Sequence, residues 1–129
     1  VHRYASMQSV SSSQRWPRTL WIARHGQSSG NVARDLAHDS GRTHIDIDAR
    51  DADVPLSDLG KQQSAALGDW FAALPQHERP EAVLVSPYVR ARQTAELVHG
   101  ACGIKPGPGS FAVDERLREK EVGILDRLT

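Results

Sequence analysis

The chain has 129 residues, about one domain's worth, and 39% hydrophobic and 25% charged residues are typical of globular proteins. Sixteen basic and sixteen acidic side chains cancel, so no overall field draws the chain to nucleic acid or anionic lipid. A single cysteine, Cys102, excludes an internal disulfide and a multi-cysteine metal site, and we expect an inert thiol in a reducing compartment. The sequence contains neither a membrane-spanning apolar run nor a secretory signal. It therefore predicts a cytoplasmic protein with no nucleic-acid or membrane partner.

The N-terminal half predicts a disordered lead-in, a buried strand, a short helix and a polar loop. Residues 1–17 are rich in serine and glutamine and precede a domain over residues 18–129. The apolar run at 20–23, followed by Gly26, predicts a strand buried on both faces. A helix is predicted over residues 28–37, and residues 38–54 form the loop.

The loop invites a metal-site interpretation, because acidic residues crowd around His44. The calcium-loop template needs an oxygen ligand at its fifth position and glycine at its sixth, and counting from Asp46 these places hold Arg50 and Asp51. The sequence therefore favours a solvated loop near the substrate and no metal.

The following segments alternate between helix and strand. Ser57 is the predicted N-cap of a helix that ends at Pro75, with one apolar face made of Leu59, Ala66, Leu67, Trp70, Phe71 and Leu74. Residues 82–86 predict a second buried strand, and Pro87 suits the first turn of the next helix. In that helix Ala91, Ala95 and Val98 are expected to face inward, with Gly100 as C-cap. Residues 110–113 predict a third strand. The alternation predicts an α/β fold with a mainly parallel sheet between helices.

Charged side chains follow each predicted strand. The first strand leads to Arg24 and His25, the second to Arg90 in the opening turn of a helix, and the third to Glu119. Because ligands bind beyond the carboxyl ends of parallel strands, we expect these groups to converge on one edge of the sheet. Arginine forks bind phosphate oxygens, neutral imidazole is a nucleophile near pH 7, and a carboxyl group can move a proton. The combination predicts phosphoryl chemistry.

Four motifs, in order over residues 19 to about 126, make the prediction specific. The segment "RHGQSSGN" resembles the histidine phosphatase superfamily, whose fold is shared with cofactor-dependent phosphoglycerate mutase. "DADVPLSDLGKQQSAAL" is similar to the family's D-x-P-L-T-x-x-G-x-x-Q-A segment, "VSPYVRARQTAE" to S-S-P-x-x-R-A-x-Q-T-A, and "DERLREKEVG" to L-x-E-x-x-x-G. The resemblance implies a three-layer α/β/α, phosphoglycerate mutase-like architecture.

The resemblance also implies a role for each matching residue. It makes His25 the nucleophile that accepts the phosphoryl group and Glu119 the proton donor, with Arg24, Arg90 and Asn31 as phosphate-binding residues. No cofactor or metal is implied, and the expected partner is a small phosphomonoester or another phosphorylated substrate. A homodimer is left open.

Two features depart from the family pattern. Gln27 replaces the usual glutamate after the glycine, and none of the other histidines fits the family's second catalytic histidine. We therefore expect that the sequence shown lacks the C-terminal part of the domain.

Three functions stay open at this stage. Mutases usually carry tryptophan where this chain has Gly30, which favours the phosphatase branch and a phosphomonoester hydrolase. The alternatives are a phosphoglycerate mutase-type phosphotransferase and, given the missing histidine, a non-catalytic module that binds phosphorylated ligands.

Overall fold

A computed structural model describes residues 2–5, 16–105 and 107–120 of the chain. Its four strands are β1 (His2–Ala5), β2 (Thr19–Ile22), β3 (Val83–Val85) and β4 (Phe111–Val113). Its three α-helices are α1 (Ser29–Asp39), α2 (Asp58–Ala72) and α3 (Val89–Cys102). Short 3-10 turns cover Asp51–Asp53, Gln76–Glu78 and Glu115–Leu117. From α2 onward, helix and strand alternate along the chain, as the sequence predicts.

The strands form two pairs. β3 and β4 run parallel, with Val83 opposite Phe111, so their carboxyl ends share one edge, as predicted. β2 instead pairs antiparallel with β1, and among the described residues it has no strand pairing with β3 or β4. The predicted disorder of residues 1–17 therefore does not hold at residues 2–5, whereas residues 6–15 and the end of the predicted domain, 121–129, lie outside the described residues.

β2 is partly buried on one face and exposed on the other, which corrects the prediction of a strand buried on both faces. Trp21 packs edge-to-face on Trp70 and Phe71 of α2, with ring centroids 5.4 and 5.3 Å apart. On the opposite face, Leu20 and Ile22 are 49% and 50% exposed. The aromatic contact fixes the direction in which β2 ends, and thereby the position of the residues that follow it.

α2 buries small residues beside the predicted Phe71, whereas the other residues of its predicted apolar face are partly or largely exposed. Ser57 caps the helix as expected, but Leu59 and Trp70 are about half exposed. The buried positions follow one another at intervals of four, four and three, and they are Gly60, Ser64, Gly68 and Phe71. A Cβ on Gly68 would lie 2.7 Å from Cβ of Ala101 on α3. The small side chains therefore let α2 and α3 approach closely.

The α2–α3 contact continues into an apolar core. Phe71, Val98 and Cys102 are buried there, surrounded by Trp21, Leu67, Leu74 and Ile104. Burial raises the pKa of the Cys102 thiol, and the charge of Arg79 opposes that shift only in part. The predicted inert character of Cys102 agrees with a thiol that stays protonated and enclosed.

α3 begins and ends slightly later than its sequence predicts. Tyr88 is the N-cap residue, so Pro87 precedes the helix instead of lying in its first turn. The C-cap is Gly103, in the left-handed conformation with φ of 63°, and not Gly100. Ala95 and Val98 face inward as predicted, but Ala91 is only partly buried. Arg90 and Thr94 are also buried, although an apolar pattern does not mark them.

Most residues of the loop 38–54 are exposed, as predicted, but two apolar side chains in it are buried. Ile45 and Val54 are buried, and the 3-10 turn at Asp51–Asp53 lies near α3. Within the described ranges, no group of acidic, histidine or cysteine side chains is arranged to hold a metal ion. Nor is any helix of that part of the chain long and apolar enough to cross a membrane.

The helix contact predicts opposite effects for two glycine substitutions. We expect Gly68→Ala to lower the free energy of unfolding by about 1–3 kcal/mol, because the new methyl group collides with α3. Gly100→Ala is the matched control: a Cβ there meets no atom within 4 Å, so alanine stabilises the helix by about 0.5–1 kcal/mol. Urea unfolding followed by tryptophan fluorescence measures both, and equal effects would contradict the packing argument.

Candidate active site

The turn after β2 is held by a close backbone contact. A Cβ on Gly26 would lie 2.4 Å from the carbonyl oxygen of Gly60, and one on Gly60 would lie 1.9 Å from that of Gln27. No side chain fits at either position, so both residues must be glycine. The contact places the turn that carries Arg24 and His25 directly against the start of α2.

Buried hydroxyl groups connect this turn to both helices. The amide of Gly26 donates to Thr94 Oγ1 at 3.3 Å, and that hydroxyl donates to the carbonyl of Arg90 at 2.9 Å. Ser64 Oγ lies 2.8 Å from the Gly60 carbonyl and 3.2 Å from Thr94 Oγ1. Buried polar groups need such partners, which explains why α2 and α3 carry hydroxyl residues inside an apolar contact.

His25 presents one ring nitrogen to the site. Its side chain is only 11% exposed, and Nδ1 lies 2.6 Å from the carbonyl oxygen of Gly26. A carbonyl can only accept, so this hydrogen bond assigns the proton to Nδ1 and leaves the lone pair of the neutral ring on Nε2. Nε2 lies 3.3 Å from Nε of Arg90 and 3.7 Å from Oε1 of Glu119. Nε2 is thus the ring nitrogen that faces Arg90 and Glu119, and the role of His25 as nucleophile stays a prediction.

Arg90 is a buried cation, with its side chain 6% exposed. Nη1 donates to the backbone carbonyl of Asp51 at 2.6 Å, and Nη2 lies 3.3 Å from the Asp51 carboxylate and 2.9 Å from Glu119 Oε2. The guanidinium also lies over the fully buried ring of Tyr88, 4.9 Å from its centroid. A buried charge is costly unless it is paired, and these contacts satisfy that requirement.

Glu119 reaches the site from the segment after β4. The Tyr88 hydroxyl donates to its backbone carbonyl at 3.3 Å, and its carboxylate is partly exposed. Asp114 directs this segment, because its carboxylate caps the 3-10 turn through the amide of Arg116 at 2.9 Å. The three side chains that the sequence places after separate strands, His25, Arg90 and Glu119, therefore lie in mutual contact.

Arg24 and Asn31 line the same cavity, which has a volume of about 210 Å³. Asn31 closes the N-terminus of α1: its Oδ1 accepts from the amide of Ser28 at 2.9 Å, and its own amide donates to Ser28 Oγ at 3.1 Å. The cap uses the amide oxygen, so the Nδ2 donor group takes no part in it. The phosphate contacts of Arg24 and Asn31 stay predictions.

Three further charged residues also line the cavity, although the sequence did not indicate them as site residues: Arg34, Asp51 and Lys120. Arg34 lies one helical turn after Asn31, so spacing on α1 could have indicated it. Asp51 is distinguished in the sequence only by occupying the glycine position of the calcium-loop template, and nothing in the local sequence separates it from the other acids of the loop. Among the described residues, four cationic side chains and two carboxylates line the cavity, and this excess of positive charge suits an anionic ligand.

The other described histidines lie away from these groups. His38 and His77 are exposed beside acidic neighbours, and His99 packs edge-to-face on Phe111, with ring centroids 5.5 Å apart. Within the part of the chain that the structure describes, His25 is the histidine that lines the cavity.

The model of the histidine phosphatase superfamily (branch 1) matches residues 20–129. The chain belongs to this family. It is 27% identical over 108 residues to the probable phosphoglycerate mutase GpmB of Salmonella paratyphi C, a match that covers 84% of this chain and 40% of the relative. The chain thus spans about 40% of the length of the curated relatives it matches.

Two solved structures share the fold. A structure entitled mycobacterial hydrolase 1 has a TM-score of 0.55 at 28% identity, over 81% of this chain and 39% of its own. A mycobacterial glucosyl-3-phosphoglycerate phosphatase with VO3 has a TM-score of 0.52 at 26% identity, over 81% of this chain and 40% of its own. The predicted α/β, phosphoglycerate mutase-like fold is confirmed. The similar proteins include a named mutase and a named phosphatase. Membership of the family therefore does not distinguish hydrolysis from phosphoryl transfer to an acceptor.

The Asp114 cap predicts a pH dependence of stability. Hydrogen bonds from the side chain and backbone of Arg116 lower the pKa of Asp114 from 3.8 to about 2. Folding therefore favours the carboxylate, and its contribution to stability is complete above pH 3.8 and is lost as the pH falls through about 2. We expect Asp114→Asn to destabilise the protein at pH 6 and progressively less towards pH 2.

Chemical denaturation at several pH values measures this difference. Asp69→Asn, at an exposed position on α2, is the control and should show no comparable trend. A pH-independent effect of Asp114→Asn would contradict the assignment.

Proposed function

We propose that the protein hydrolyses phosphomonoesters through a phosphohistidine intermediate on His25, with Glu119 as the proton donor. The observation that carries this proposal is the position of Nε2 of His25, 3.3 Å from the Arg90 guanidinium and 3.7 Å from the Glu119 carboxylate. A nucleophile, an anion-binding cation and a proton-transfer group thus share one cavity.

In the first step His25 Nε2 attacks phosphorus and the bond between phosphorus and the ester oxygen breaks. The leaving oxygen takes a proton from the carboxylic acid of Glu119. Arg24 and Arg90 balance the negative charge of the phosphoryl oxygens as it redistributes in the transition state. The hydrogen bond from Nδ1 to the Gly26 carbonyl stabilises the positive charge that develops on the ring.

In the second step Glu119, now ionised, takes a proton from water. The water oxygen attacks phosphorus, the bond to Nε2 breaks, and inorganic phosphate leaves with His25 regenerated. Each group returns to its starting state, and no further reactant is consumed.

A trapping experiment tests the nucleophile. We expect brief incubation with ³²P-labelled phosphomonoester, followed by a denaturing quench, to leave acid-labile label on His25, because phosphohistidine forms before water attacks. His25→Ala should lose the label and at least about 10³-fold in kcat/KM. His77→Asn, at an exposed histidine in a 3-10 turn, is the matched control and should retain both. Phosphate binding without label or turnover would instead indicate a binding module.

The named relatives favour a second candidate, a phosphoglycerate mutase-type phosphotransferase. In that reaction the phosphohistidine passes its phosphoryl group to a hydroxyl of an acceptor instead of to water. Assays with labelled phosphoglycerate, with and without a second phosphoglycerate, separate the two. We expect label to appear mainly as inorganic phosphate, in agreement with Gly30 at the position where mutases usually have tryptophan. Transfer of label between phosphoglycerates without release of phosphate would support the mutase.

A further inference from the structure

Arg90 has two carboxylate partners, and they differ in what the proposed mechanism asks of them. Glu119 gives a proton to the leaving group and takes one from water, so it is neutral in one stage of the cycle. A neutral carboxyl group no longer balances the charge of the buried guanidinium. Among the described residues, Asp51 is then the anionic partner that Arg90 retains.

The contacts of Asp51 suit a permanent partner. Its backbone carbonyl accepts from Nη1 at 2.6 Å, and its carboxylate oxygens lie 3.3 and 3.4 Å from Nη2. One residue therefore holds both terminal nitrogens and fixes the plane of the guanidinium. The short backbone contact sets the geometry, while the longer carboxylate contact supplies the charge.

The turn that carries Asp51 is itself anchored. Val54, directly after it, is buried, and the amide of Leu56 donates to Gln93 Oε1 on α3 at 2.8 Å. Gln93 lies one helical turn after Arg90, so the loop and the guanidinium are fixed to the same helix. This connection gives Asp51 a defined position instead of that of a free loop carboxylate.

We propose that Asp51 is a positioning residue, which keeps the Arg90 guanidinium aligned beside His25 while Glu119 is protonated. The proposal rests on the proposed function, because it depends on the proton cycle of Glu119. The alternative role for Asp51 is to compete with phosphate for Arg90, since its carboxylate lines the same cavity. In that case removal of the carboxylate would strengthen anion binding instead of weakening it.

Asp51→Asn tests the proposal, because it removes the charge and keeps the backbone carbonyl. We expect kcat/KM on p-nitrophenyl phosphate to fall about 10–100-fold, mostly in kcat, because a displaced guanidinium aligns the phosphoryl group poorly. Vanadate affinity, measured by calorimetry, should weaken about tenfold. Asp51→Glu, which keeps the charge, should retain more activity than Asp51→Asn.

Asp53→Asn is the matched control. Asp53 belongs to the same 3-10 turn but pairs with the exposed Arg50 at 2.8 Å, so we expect kcat/KM and vanadate affinity within about twofold of wild type. Equal effects of Asp51→Asn and Asp53→Asn, tighter vanadate binding by Asp51→Asn, or Asp51→Glu no better than Asp51→Asn would overturn the proposal. A wild-type protein with neither turnover nor phosphoenzyme would overturn the proposed function instead, and calorimetry would still report whether Asp51 supports anion binding.

Discussion

The burial of the Arg90 guanidinium is the constraint on which the site depends. A cation with so little exposure to water is stable only among anions and acceptors, and each of these comes from a different part of the chain. Asp51 belongs to the long polar loop, Glu119 follows β4, and His25 follows β2. Satisfying one buried charge therefore brings these three segments together, and the cavity lies where they meet.

The scaffold makes this burial feasible by bringing backbones into close contact. Gly26 and Gly60 remove the side chains that would separate the β2 turn from α2, and Gly68 does the same between the two long helices. Ser64 and Thr94 replace solvent as hydrogen-bond partners for the backbone groups enclosed there. The first turn of α3 is thereby fixed relative to His25.

The sequence predicts the site better than it predicts the packing. The sequence could predict that His25, Arg90 and Glu119 lie close together, because each follows a predicted strand and belongs to a family motif. The buried face of α2 was predicted only in part: Phe71 is buried, but hydrophobic periodicity also selects Leu59 and Trp70, which are about half exposed. Periodicity cannot register that small residues permit a closer helix contact. The sequence did not predict Asp51 as a site residue, because its contact is with Arg90, thirty-nine residues away, and no local pattern encodes such a contact.

Asn31 belongs both to the start of α1 and to the cavity wall. Its side chain has two chemically different ends, and helix capping occupies the oxygen while the nitrogen stays available. Aspartate could preserve the cap but would bring a repelling charge towards an anionic ligand, and serine would be too short to serve both ends. With the predicted phosphate contact, helix capping and ligand binding would both restrict this position, so Asn31 would have fewer acceptable replacements than a residue under either constraint alone.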